Sequence, residues 1–238
     1  MNREFEASNW GSIQVNLRLK AIHGPTVLSR LFKCKKTILG DNNQSVNPYS
    51  SSSIREIKKV FPEADTVELL KSYRSTIEII EFAQKINRNS RIIPIERHGP
   101  CPKIKKANKR SDEIAQIKKI IARFKGSENR TLGIVCKTQP QAETLYQEIV
   151  TSSKAVHLLD FSSAQFHEGI IVTSSHLAKG LEFDQVIVPF VDAENYKTDM
   201  DRSLLYIACT RAMHRLTLTY SGEASPFLLQ VEESHPNK

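Results

Sequence analysis

His176-Leu-Ala-Lys179-Gly180-Leu-Glu182-Phe-Asp184-Gln-Val-Ile-Val-Pro189 is the stretch on which the fold of this chain turns. An apolar run, Gly169-Ile-Ile-Val-Thr173, leads into it, and a second, Val186-Ile-Val188, leaves it. Both runs have the length and composition of strands buried on both faces of a sheet. Between them lies a short polar turn carrying Lys179, Gly180, Glu182 and Asp184. In open α/β sheets such polar turns at strand ends are where ligands sit.

The surrounding chain alternates helix and strand periods. Upstream, Leu132–Cys136 and Val156–Leu159 read as strands, and Gln139–Val150 as a helix with Pro140 in its first turn. Ser111 opens another helix, with Ile114, Ile117, Ile121 and Phe124 on one face and Gly126 as its stop. Further back, Ile77, Ile80, Phe82, Ala83 and Ile86 mark a helix capped by Ser75 or Thr76, with Glu78 completing a capping box. Thr66–Leu70 reads as a strand before it, and Ile54–Phe61 as a short basic helix ended by Pro62. Short strands are expected within Ile13–Arg18 and Thr37–Leu39, and the end of a helix within Val27–Phe32. Downstream, Asp199–Met213 is expected to be helical, Arg215–Tyr220 a strand, and the chain from Ser221 a polar tail. Strands alternating with helices predict a parallel α/β sheet covered on both faces.

At 238 residues there is room for one large domain or a domain with an appendage. No apolar run approaches the ~18–20 residues of a membrane span. Met1-Asn-Arg-Glu-Phe-Glu6 lacks the apolar segment of a signal peptide. The four cysteines, Cys34, Cys101, Cys136 and Cys209, form no CxxC pair, which argues against zinc and against a disulfide framework. Cys136 and Cys209 sit in apolar contexts and are expected in the core. The expectation is a cytoplasmic protein with no membrane partner. The net charge is +8, and the window Arg91–Lys125 alone holds eleven Lys/Arg against Glu96, Asp112 and Glu113. Its densest part, Lys103–Arg110, reads as a basic surface loop suited to phosphate backbones.

Four polar segments stand at strand ends or helix starts: Gly40-Asp-Asn-Asn-Gln44, Ser72-Tyr73-Arg74-Ser75, Lys179-Gly180-Leu-Glu182-Phe-Asp184, and Leu205-Tyr-Ile-Ala-Cys-Thr210-Arg211-Ala212. In that order they resemble motifs III, IV, V and VI of superfamily 1 helicases of the UvrD/Rep type, over roughly residues 31–220. The resemblance implies a RecA-like parallel sheet with helices on both faces. It also implies roles. Gln44 matches the glutamine that senses the γ-phosphate, Tyr73 the aromatic that stacks on the base, and Arg74 an arginine that contacts the γ-phosphate. Gly180 and Glu182 match the ribose-holding segment, and Arg211 the arginine finger. Ser174 and His176 fall where the family contacts single-stranded DNA, with Lys179 and Tyr49 as further nucleic-acid candidates. The stretch around His176 would then join a DNA edge to a nucleotide edge within a few residues.

Physical chemistry agrees with those assignments. Phosphoryl transfer needs cations beside the charge that develops on the γ-phosphoryl group. Arginine suits this because its planar fork binds phosphate oxygens bidentately. Each arginine also has a plainer reading, pairing with a carboxylate such as Glu182.

The departures are equally specific. The chain contains no G-x-x-x-x-G-K-[ST] and no apolar strand ending in Asp-Glu; Asp112-Glu113 opens a helix instead. ATP with Mg²⁺ is therefore expected to be shared with a Walker-A-bearing N-terminal lobe, and the isolated chain is expected to lack ATPase activity. The implied organisation is a remnant of the first lobe plus linker over 1–50, a second motor lobe over 51–222, and a tail over 223–238, as in a fragment or truncated product. The alternative is a non-catalytic nucleic-acid-binding module acting through the basic Arg97–Arg110 segment and regulating a partner.

Overall fold

The computed structural model describes residues 13–14, 36–37, 54–87, 92–150, 155–160, 163 and 168–232. Contacts divide the chain into two units, Met1–Glu68 and Leu69–Lys238. In the first, β1 (Ile13–Gln14) pairs in parallel with β2 (Lys36–Thr37), and α1 spans Ile54–Val60. The helix expected within Val27–Phe32 lies outside the described residues.

The second unit is built on a six-stranded sheet in which every neighbouring pair is parallel. Its strands are β5 (Lys103–Ala107), β6 (Thr131–Cys136), β7 (Val156–Leu158), β8 (Gly169–Ser174), β9 (Phe183–Val188) and β10 (Ala212–Ser221), in the order β5-β10-β9-β6-β8-β7. A separate parallel pair joins β3 (Lys71–Ser72) to β4 (Ile93–Pro94).

Side chains alternate across the sheet because the strand period is two. Leu132, Ile134 and Cys136 of β6, with Ile170, Val172 and Ile187, pack under α3 (Arg110–Phe124) and α4 (Gln139–Val150). Val135, Ile171, Val186 and Val188 pack on the other face against α2 (Ile77–Ile86), α5 (Asp199–Cys209) and α6 (Pro226–Glu232). This three-layer α/β arrangement is the parallel sheet with helices on both faces that the sequence predicts. Cys136 and Cys209 are fully buried, and burial pushes both thiols well up from their ordinary value. No helix among the described residues is long and apolar enough to cross a membrane.

Four segments differ from expectation. Lys103–Ala107 is an edge strand rather than a loop, because β10 offers it a row of backbone partners from Thr217 to Ser221. Thr66–Leu70 forms no strand; Val67 and Leu69 are exposed, and pairing begins only at Lys71. The helix from Asp199 stops at Cys209, so β10 starts at Ala212. The polar tail begins with a packed helix: Phe227, Leu228 and Val231 of α6 are buried in the core against the face that carries α2.

One glycine is demanded by packing. A Cβ on Gly133 would lie 2.5 Å from the Phe183 ring. Gly133→Ala is therefore expected to lower stability by about 1–3 kcal/mol through overpacking, measured by urea denaturation, with Phe183→Leu in the same chain recovering part of the loss.

Candidate functional site

The stretch that begins at Ser174 crosses the sheet from one edge to the other. Ser174 closes β8 and lies level with Cys136 of β6. Phe183 opens β9, and the pairing of Gln185 with Leu132 places it two residues before Leu132, level with Arg130. The two points are six residues of strand apart, about 20 Å at ~3.3 Å per residue. Ser174 and Glu182, close in sequence, thus stand at opposite ends of the sheet.

The connecting residues are clipped down rather than helical. The Ser175 amide and hydroxyl both donate to the Cys136 carbonyl, at 2.8 and 3.1 Å. The Ala178 amide donates to the Ser174 carbonyl, and Ala178 is fully buried. Gly180 has φ +91, a conformation that favours glycine, so the turn itself requires it. His176 and Lys179 are exposed at this turn, whereas Ser174 is buried.

At the N-terminal edge of β9 and β10, three distant segments converge. Arg74 pairs with Glu182 at 2.6 Å, both side chains partly exposed. The Ser75 hydroxyl donates to the Ala212 carbonyl at 2.6 Å. Ser75 is thus spent on a tertiary contact, and Thr76 is the N-cap of α2 without a side-chain cap bond. Glu78 accepts from the Gly99 amide at 2.9 Å instead of completing a capping box. Tyr73 is 69% exposed beside Arg74.

Arg211 is seated differently. It is 0% exposed, and its guanidinium donates to the carbonyls of Ile207 and Leu181 and to the Thr210 hydroxyl, at 3.1, 3.4 and 3.2 Å. The Arg211 carbonyl in turn accepts from the Phe183 amide at 3.0 Å. Arg211 therefore locks the crossover segment to the end of α5, while Arg74 is the guanidinium that faces solvent. Gln44 and Tyr49 lie outside the described residues.

Several residues at this edge carry no motif. Arg97 donates to the Arg74 carbonyl at 2.8 Å and to the His214 ring at 2.9 Å. His214 lies 3.8 Å from Asp184. Asp184, a polar residue of the opening stretch, accepts from the Arg130 and Thr131 amides at 2.7 and 2.9 Å and so clasps the start of β6. At the opposite, C-terminal ends of β9 and β10, Glu113 is fully buried and accepts from the Phe190 amide and the hydroxyls of Thr219 and Ser221. Its signal was present: a carboxylate at position 113 continues the apolar stripe of Ile117, Ile121 and Phe124. Arg97 had no local signal, since its partners lie in other segments.

With this geometry in place, known proteins are informative. The profile of the UvrD-like helicase C-terminal domain matches residues 169–219, from β8 to β10. The crystal structure of the C-terminal domain of a possible DNA helicase from Lactobacillus plantarum WCFS1 is 34% identical with a TM-score of 0.58, covering 68% of this chain and 96% of that one. This chain belongs to the UvrD-like helicase C-terminal domain family. The UvrD-like domain is also similar to the ATP-dependent DNA helicase UvrD2 of Mycobacterium bovis and of Mycobacterium tuberculosis, each 25% identical over 131 residues and 49% of this chain. The chain spans 19%, about a fifth, of the length of these curated relatives.

At the C-terminal edge the UvrD-like domain carries a buried polar knot. Lys137 pairs with Asp201 at 2.5 Å and donates to the Asn195 carbonyl. Asp201 also accepts from the Lys197 and Thr198 amides and closes a capping box on α5. Burial alone raises the Asp201 pKa, but the hydrogen bonds from Lys137 and the two amides outweigh it and hold the carboxyl below its ordinary 3.8. A lowered folded-state pKa contributes stability above the unfolded value and loses it as pH falls through the folded one. Asp201→Asn is expected to lower stability by about 1–3 kcal/mol at neutral pH. The gap to the parent should shrink as urea midpoints are followed into acid; a gap that stays constant would contradict this assignment.

Proposed function

We propose that this domain is the C-terminal motor lobe of an ATP-dependent superfamily 1 DNA helicase, and that it turns over ATP only together with a Walker-A-bearing N-terminal lobe. The convergence of Tyr73, Arg74, Glu182 and Arg211 at one sheet edge, tied by the Ser75 to Ala212 bond, carries this reading. An exposed aromatic ring beside a solvent-facing guanidinium fits a nucleotide's base and phosphates. The partly exposed Arg74–Glu182 pair is worth about 0–1 kcal/mol, so a triphosphate can displace it with little loss. Arg74 would then bind phosphate oxygens bidentately, and Glu182 would accept from ribose hydroxyls.

Arg211 would act later. To reach the γ-phosphate it must exchange the Ile207 and Leu181 carbonyls for phosphate oxygens, and closure of the two lobes is the step at which that exchange would occur. Mg²⁺ would arrive with ATP, its protein ligands on the other lobe. Single-stranded DNA would run over the opposite edge, at the exposed His176 and Lys179 beside Ser174. Residues 1–50 would be the remnant of the first lobe plus linker, ahead of a second lobe beginning near residue 51. Nucleotide state would pass between the edges along the clipped residues 175–182.

DNA-stimulated ATPase assays test the proposal. The chain alone should show no turnover, and turnover should appear when a Walker-A-bearing lobe is supplied. In that two-lobe protein, Arg74→Ala should lower kcat by ~10³ or more, while Tyr73→Ala should act mainly on KM for ATP. Robust hydrolysis by the chain alone would overturn the split-site reading.

A further inference from the structure

We propose a second nucleic-acid surface on this domain, a duplex-backbone clamp formed by the edge strand β5 and helix α3. It does not rest on the nucleotide site. Lys103, Lys106, Lys109, Lys119 and Arg123 are exposed, and Lys105 is half-buried. None of the six takes part in an ion pair among the described residues. Of the acids of the same segment, Glu113 is buried in its hydroxyl cage, and Asp112, in the first turn of α3, offsets at most one of the six charges.

Lys103 and Lys105, level with Thr217 and Thr219, lie on the α3 side of the sheet, whereas Lys106 lies with Ile104 on the opposite face. The Gln116 side chain donates to the Lys106 carbonyl at 3.1 Å, which fixes that face of α3 against β5. Lys119 and Arg123 lie three and seven residues beyond Gln116, on the same helical stripe. The helix returns along the strand after the two-residue connection Asn108-Lys109. Seven residues of helix advance ~10 Å and three of strand cover about the same, so Arg123 stands level with Lys103. Two parallel rows of cations result.

Lysines on an edge strand alone would be explained as protection against edge-to-edge pairing. Lys119 and Arg123 are not on the edge, and that explanation does not reach them. The surface also offers no base-stacking platform: the aromatic residue of 103–125 is Phe124, and it is buried. Cations without aromatics suit a sequence-independent phosphate backbone better than a stacked single strand. β5 is four strands from β8, about 19 Å at ~4.8 Å per strand, so this surface is separate from the turn at His176 and Lys179.

Fluorescence anisotropy with a short blunt duplex and an oligo-dT of equal length, titrated with salt, tests the proposal. The variant Lys103→Gln/Lys105→Gln/Lys119→Gln/Arg123→Gln should bind the duplex more weakly. Its log–log salt slope should be smaller by about 3–4, near 0.9 per lost phosphate contact, with oligo-dT binding changed much less. Lys119→Gln/Arg123→Gln on the exposed helix face should show about half the loss, and serves if the fourfold variant melts early. An unchanged duplex slope would refute the clamp, and so would an equal loss on oligo-dT, which would mark the surface as a single-strand track.

Discussion

Parallel strands cannot be joined by a tight turn, so every connection in this sheet must carry the chain back across its full height. Most connections do so with a helix. The one between β8 and β9 does it with residues 175–182, and the rest of the candidate site depends on how that short segment is held. Ser175 anchors it to the end of β6, Ala178 is sunk into the core, Gly180 takes the φ +91 turn, and Arg211 grips Leu181 from below. A segment pinned at both ends and in the middle transmits displacement instead of absorbing it. In the proposed motor this segment would link a nucleotide edge to a DNA edge about 20 Å away.

Buried polar residues do most of the specifying around this segment. Arg211, Glu113 and Asp201 are each nearly or fully buried, and each is surrounded by partners from other elements. Removing any of them would leave backbone carbonyls, hydroxyls or an amine unpaired in a dry interior. Glu113 binds the end of β10 to Phe190 after β9, and Asp201 binds the start of α5 to Lys137 after β6. The apolar layers set the three-layer packing, while these polar ties set the relative heights of the strand ends, where the candidate residues stand. The split between Arg74 and Arg211 follows. Arg74 lies on the short, thinly covered β3–α2 connection and faces solvent. Arg211 lies between the C-terminus of α5 and β10 and is enclosed.

How much of this was legible beforehand depends on the range of the interaction. Helices α3 and α4 and strands β6 and β8 follow from local periodicity, because residues such as Ile114, Ile117, Ile121 and Leu132 report burial by spacing alone. Edge strand β5 was not legible: Lys103-Ile-Lys-Lys106 has a loop's composition, and it is a strand because β10 lies beside it. Helix α6 was missed for the same reason, since Phe227, Leu228 and Val231 are core only where another element covers them.

The sequence by itself determined the α/β class, the four motif segments in their order, and the basic character of residues 91–125. These are carried by residue type and near-neighbour spacing. Only the tertiary structure decided that Ser174 and Glu182 belong to opposite edges, that Arg74 meets Glu182 while Arg211 is enclosed, that Arg97 supports Arg74, and that the basic residues form a strand and a helix side by side. Those outcomes depend on strand order and on contacts between residues tens to over a hundred positions apart, such as Ser75 with Ala212. Short-range patterns carry no record of which distant partner a polar group will find.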